Sequence, residues 1–140
     1  MNHPKVAALV PQQGAMCLLD EILSFDARGV VCRTASHRLP GNPLRCDGRL
    51  PALAGIEYGA QAMAVHGALQ SSGALQAGLL AGARAVQCRS RYLDEEPGPL
   101  TVRAERLVAD GRRLLYSFVV EGAAELVRGR IAVVLSADLP

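Results

Sequence analysis

A carboxylate stands in the least polar stretch of this chain. In "RLPALAGIEYGAQAMAVHGAL", Arg49 to Leu69, Glu57 is surrounded by alanine, glycine and apolar residues. Glutamate usually faces solvent, so a Glu here is either on an exposed stripe or held for proton transfer. Gln61 follows four residues later, which puts both side chains on one face of a helix. An amide at that spacing can hold the carboxyl group, although a water-capped helix glutamine would look the same. The histidines are few. His66 lies nine residues past Glu57, on the opposite side of a helix at 3.6 residues per turn, and is expected to be structural. His3 is next to the terminus. His37 stands alone ahead of a loop, where it is either a strand-end residue or a proton acceptor. Asn42, in that loop, can hydrogen-bond a ligand or its own backbone, but it cannot act as a base at neutral pH. Tyr58 points about 100° away from Glu57 around a helix and is expected to contact a sheet or an interface.

These residues need elements to position them. "HPKVAALVP" allows one short helix at most, ended by Pro11. "AMCLLDEILSFD" and "GVVCRTAS" read as two antiparallel strands joined at "DARG", with Gly29 suited to a positive-φ turn. "HRLPGNPLRCDGRLP" is too rich in proline, glycine, Asn and Asp to be anything but a loop. A helix is expected from about Pro51 to Gln70, since proline suits a first helical turn. Leu53, Ile56, Ala60, Met63, Ala64 and Gly67 recur at helical steps and mark its apolar face. "SSG" closes it, with Gly73 as a left-handed cap. "GLLAGARAVQCRSRYL", "LTVRAERLVA", "RRLLYSFVV" and "AELVRGRIAVVLS" follow as four strands, separated by "EEPGP", "DGR" and "EGA". The order is two strands, one long helix, four strands. An α+β domain results, an antiparallel sheet of about six strands around one uncharged helix.

At 140 residues this is a single domain, 1–140, with half its residues hydrophobic and a fifth charged. The net charge of +2 is too small to argue for nucleic acid. Lys5 is the only lysine, so any basic patch is guanidinium, suited to phosphate and carboxylate partners. Cys17, Cys32, Cys46 and Cys88 form no C-x-x-C pair, and no metal or cofactor is implied. No stretch resembles a secretory leader or reaches the ~18 apolar residues of a membrane span. A reduced, cytoplasmic protein is expected.

"AMCLLDEIL", then "NPLRCDGRLPALAGIEYGAQAMAVHG", then "GLLAGARAVQCRSRYL" together resemble the hot-dog fold 3-hydroxyacyl-acyl-carrier-protein dehydratases. The subgroup most similar is the dehydratase-like proteins of aryl-polyene lipid clusters. The specific part is an E-x-x-A-Q element, Glu57 to Gln61, after a Pro/Gly-rich loop and before an L-x-G-x-R strand. The resemblance implies a thioester substrate on the phosphopantetheine arm of an acyl carrier protein or coenzyme A. It also implies a dimer, with active sites in tunnels between subunits. Such proteins pair the helix acid with a histidine from the preceding loop, acting from the partner subunit. In this chain "GNPLR" occupies that place, with Asn42 beside Pro43, and no histidine is there.

Dehydration of a 3-hydroxyacyl thioester needs a base for the α-proton, an acid for the leaving hydroxyl and donors for the thioester carbonyl. The resemblance makes Glu57 the acid and Gln61 its holder or a substrate contact. His37 is the base if a rearranged loop brings it to the vacant place; otherwise a partner-chain residue serves. Asn42 and Gly55 are expected to contact substrate, with backbone N–H groups from Ala52 to Gly55 polarising the carbonyl. Leu80 and Gly82 are tunnel wall by resemblance, and core packing otherwise. Arg45, Arg49, Arg84, Arg89 and Arg91 would frame a tunnel mouth for an acidic carrier, or are scattered solvated arginines. Two alternatives stand beside the dehydratase. One is a hot-dog acyl thioesterase, whose helix carboxylate directs water without a histidine. The other is a non-catalytic subunit of a heterodimeric dehydratase. Homodimer, heterodimer with a second hot-dog protein and higher oligomer all remain open.

Overall fold

The computed structural model describes residues 5–70 and 78–135. The apolar segment ahead of the first strand forms two short 3-10 turns, Val6–Ala8 and Gly14–Met16. It then runs extended into β1 (Glu21–Phe25), so the strand starts later than "AMCLLDEILSFD" suggests. Leu18 and Leu19 are buried among core residues, and Leu18 bonds to side chains rather than to a neighbouring strand. Residues 5–19 therefore act as a strap, pinned at Val6, Leu9 and Val10 on one side and Leu18 and Leu19 on the other.

β2 (Gly29–Thr34) pairs antiparallel with β1. The turn between them is an Asx turn, with Arg28 N–H and Gly29 N–H donating to Asp26 Oδ1 at 2.8 and 3.0 Å. Gly29 does not have positive φ. It is glycine for another reason: a Cβ there would collide with the Ala104 carbonyl oxygen of the neighbouring strand.

The helix begins as a 3-10 turn, Ala52–Ala54, and continues as α1 (Gly55–Gln70). The expected cap at Gly73 lies outside the described residues. Then come β3 (Gly78–Cys88), β4 (Leu100–Asp110), β5 (Arg113–Glu121) and β6 (Glu125–Leu135). The β4–β5 turn takes positive φ at Gly111, as the Asp–Gly pair predicts. All pairings are antiparallel, in the order β1-β2-β4-β5-β6-β3. One six-stranded sheet packs around one long helix, the hot-dog arrangement.

The helix meets the sheet on a different face from the one its apolar spacing suggests. Tyr58, Ala62, Val65 and His66 are buried, with Gly55 and Gly59; of the expected face Met63 is buried too, whereas Leu53 is 60% exposed and Ile56, Ala60, Ala64 and Gly67 are half-covered. Two glycines explain this. A Cβ on Gly55 would strike Val127 Cγ1 of β6, and one on Gly59 would come within 2.5 Å of the Phe118 ring of β5. Close approach to the sheet therefore decides the buried face, and overpacking such contacts typically costs about 1–3 kcal/mol.

Candidate functional site

Glu57 occupies the first turn of α1. Its Oε1 accepts two hydrogen bonds, from Gln12 Nε2 at 3.1 Å and Gln61 Nε2 at 3.3 Å. Among the described residues Oε2 has no donor, yet it is not sealed from solvent. One oxygen is thus held by two donors, and the other has no partner among the described residues.

Gln61 is fully buried and ties three segments together. Its Oε1 accepts the Leu18 N–H at 2.8 Å, and its Nε2 donates to the Met16 carbonyl at 2.6 Å as well as to Glu57. The i,i+4 spacing did place it beside Glu57. Gln12 was not foreseen. It lies on the strap, outside any periodic element, and only the strap's path over the helix brings it to Glu57.

The other expected site residues lie elsewhere. Asn42 is buried with its amide fully engaged: Nδ2 donates to Ser36 O and to the Tyr58 hydroxyl, both at 3.0 Å, while Oδ1 accepts Leu44 N–H at 2.9 Å. It shapes the loop, with both amide hydrogens committed inside the chain. Tyr58 is therefore an anchor rather than an interface contact. Its hydroxyl donates to Ser36 Oγ at 2.8 Å, and Ser36 and Thr34 hydroxyls donate to the two lone pairs of the Leu18 carbonyl at 2.6 and 2.5 Å. Burial pushes the Tyr58 phenol above its usual range, which keeps it a donor. This chain of bonds locks the loop and the strap to the residue next to Glu57.

His37 sits in the turn Ser36–Arg38, completely covered, with Nε2–H donating to the Glu96 carbonyl at 3.0 Å. It makes no hydrogen bond to Glu57 of its own chain, and its Nδ1 is buried without a partner. His66 is structural as expected. Nε2–H donates to the Asp26 carbonyl at 2.9 Å, which fixes the tautomer, and Nδ1 accepts from the Tyr116 hydroxyl at 2.6 Å. Burial lowers the pKa of both imidazoles. An unfolded imidazole titrates near 6.5, so below that pH the unfolded chain binds more protons than the folded one. Stability contributed by keeping these rings neutral is present above about pH 6.5 and is lost as pH falls toward the lower folded values. Urea unfolding at pH 7.5 and 5.5 is expected to show a lower midpoint at 5.5; equal midpoints would contradict this.

Gly55 is close to the sheet, not open to a ligand. The N–H groups proposed to polarise a carbonyl are largely occupied: Ala52 donates to Arg91 O, Ala54 to Pro51 O and Gly55 to Ala52 O and Leu53 O. Gly82 is exposed on edge strand β3 opposite Ala132, with open space where a Cβ would stand. Leu80 pairs with Val133 through its backbone, and its side chain lies outside the described part. Arg45 clamps the carbonyls of Leu39, Gly48 and His37. Arg49 pairs with Asp94 and Glu95 and stacks on Tyr92, and Arg89 pairs with Glu125. Arg84 and Arg91 have no carboxylate partner among the described residues. A groove of about 500 Å³ opens on the outer sheet face, at Val31, Arg103, Glu105 and Ser117, and includes none of the Glu57 contacts. No group of three or more metal-binding side chains occurs among the described residues.

The ApeP-like profile, described as ApeP dehydratase, matches residues 4–139. The chain belongs to the ApeP-like family. This ApeP-like chain also resembles solved structures. The dehydratase heterocomplex ApeI:P from Xenorhabdus doucetiae aligns with a TM-score of 0.83 at 23% identity, covering 98% of this chain and 94% of that one. A putative thioesterase from Silicibacter sp. TM1040 aligns at 0.60 and 13% identity, covering 81% and 76%. A hypothetical thioesterase with coenzyme A from Streptococcus pneumoniae aligns at 0.59 and 12%, covering 86% and 88%. No curated protein matches. No described helix is long and apolar enough to cross a membrane.

Proposed function

We propose that this chain is a 3-hydroxyacyl thioester dehydratase-like protein that works with a second hot-dog protein. The substrate is an acyl group on the phosphopantetheine arm of a carrier protein or coenzyme A, in fatty acid or polyene lipid synthesis. One observation carries this reading: the Glu57 carboxylate has Oε1 held by two amide donors and Oε2 without a partner among the described residues and not sealed. Such a carboxyl group can deliver a proton from Oε2 to a leaving hydroxyl without rearranging its own contacts. The need for a partner is supported by the two partners of Glu57 among the described residues, both carboxamides that cannot take a proton, and by the Xenorhabdus structure, which is a heterocomplex. Arg84 and Arg91, free of carboxylates within the described chain, suit an acidic carrier.

A thioesterase is the second reading. A lone carboxylate flanked by amides is enough to orient water, and two aligned structures are described as thioesterases. The assay that separates them supplies 3-hydroxyacyl and saturated acyl thioesters to the protein, alone and with a hot-dog dehydratase partner. Water loss with the thioester intact is expected in the presence of the partner. Thiol release from both substrates, without water loss, would replace the dehydratase by the thioesterase.

A further inference from the structure

Gln12 touches Glu57 through an atom four bonds from its Cα, and histidine Nε2 is also four bonds from Cα. The strap that carries it is anchored at Val10 and Leu18, buried at 2% and 0% exposure. The amide fits it poorly. Gln12 Oε1 is sealed from solvent and has no hydrogen-bond partner, a condition that buried acceptors rarely tolerate. An imidazole with Nε2 on Glu57 would put a ring C–H, not an acceptor, at that point. Neither contact of Glu57 can titrate, because both are carboxamides.

We propose that residue 12 is the proton-transfer position opposite Glu57, filled in this chain by an amide that can position the carboxylate but cannot take a proton. The inference rests on the dehydratase reading. In the reaction the α-proton leaves C2 for a base, the C2–C3 double bond forms as the C3–O bond breaks, and the hydroxyl departs as water with the proton of Glu57. The base then returns its proton to the Glu57 carboxylate. A contact between the two groups gives that return a direct path, and the 3.1 Å contact is already built. What is missing is a group that titrates. The chain is thus a substrate-holding half-site that depends on a base from elsewhere.

The test is Gln12→His in the full chain without partner, given a 3-hydroxyacyl pantetheine thioester. Dehydration is expected to rise by about 10²-fold or more over wild type, with the gain appearing as pH rises through about 6–7, and to vanish in Gln12→His/Glu57→Gln. Binding of a non-reactive 3-hydroxyacyl analogue is measured in parallel. Should Gln12→His fail to fold, Gln12→Ala with free imidazole replaces it, and a saturable gain absent from wild type is expected. A folded, analogue-binding Gln12→His with no gain, or a gain that survives Glu57→Gln, overturns the assignment. So does a wild-type chain that alone dehydrates as fast as Gln12→His, although the dehydratase reading then stands. Failure of the wild-type chain to bind the analogue overturns the dehydratase reading itself, and this inference with it.

Discussion

Gln61→Leu is expected to destabilise the protein by about 3 kcal/mol or more. The substitution keeps the volume roughly constant but strands two strap groups in the interior. Leu18 N–H loses its 2.8 Å acceptor and the Met16 carbonyl its 2.6 Å donor. Each buried group left unpaired costs about 1–3 kcal/mol, against a total stability of about 5–15 kcal/mol for a typical domain. Glu57 also loses one of its two donors, so activity should fall even in the folded fraction. Urea unfolding measures the first effect as a lower midpoint at unchanged slope. A loss below about 1 kcal/mol would mean that the strap finds other partners, and that Gln61 is not what holds it over the acid.

Glu57→Gln is expected to leave the fold intact and to lower dehydration by the partnered protein about 10²- to 10⁴-fold, the usual span for a general acid. The replacement is isosteric, and its carbonyl oxygen can still accept from Gln12 and Gln61. Only the transferable proton disappears. Affinity for a 3-hydroxyacyl analogue should therefore change little, and the effect should fall on kcat rather than on binding. An equal loss of binding would point to a structural role for the carboxylate.

The elements were legible because their periodicity is strong and their turns are chemically marked. The Asp110–Gly111 turn, the Pro/Gly loop and the strands from β3 onward follow from local rules. The buried face of α1 was not legible. Apolar spacing favours Leu53, Ile56, Ala60, Met63, Ala64 and Gly67, of which only Met63 is buried; the sheet packs where glycine lets Val127 and Phe118 approach, and a glycine carries no hydrophobic signal. Gly29 misled in the same way, since its strand neighbour, not its own φ, requires it. At the site, Gln61 could be found from its four-residue step to Glu57. Gln12 could not, because the contact is made across 45 residues by a strap with no repeating pattern. His37 and Asn42 were chosen for their chemistry and their place in the loop. The Asn42 amide and His37 Nε2 instead satisfy backbone and hydroxyl groups of the same loop, its neighbours and the helix, while His37 Nδ1 is buried without a partner, which only the folded chain reveals.

The central claim is that Glu57 supplies the proton for water loss from a 3-hydroxyacyl thioester. Mass analysis of the acyl carrier after a single turnover tests it most directly, with this chain as wild type or Glu57→Gln and the same hot-dog partner in each case. The account predicts the enoyl thioester with the carrier still acylated for wild type, and unreacted 3-hydroxyacyl carrier for Glu57→Gln. Full conversion to the enoyl product by the Glu57→Gln complex would contradict it.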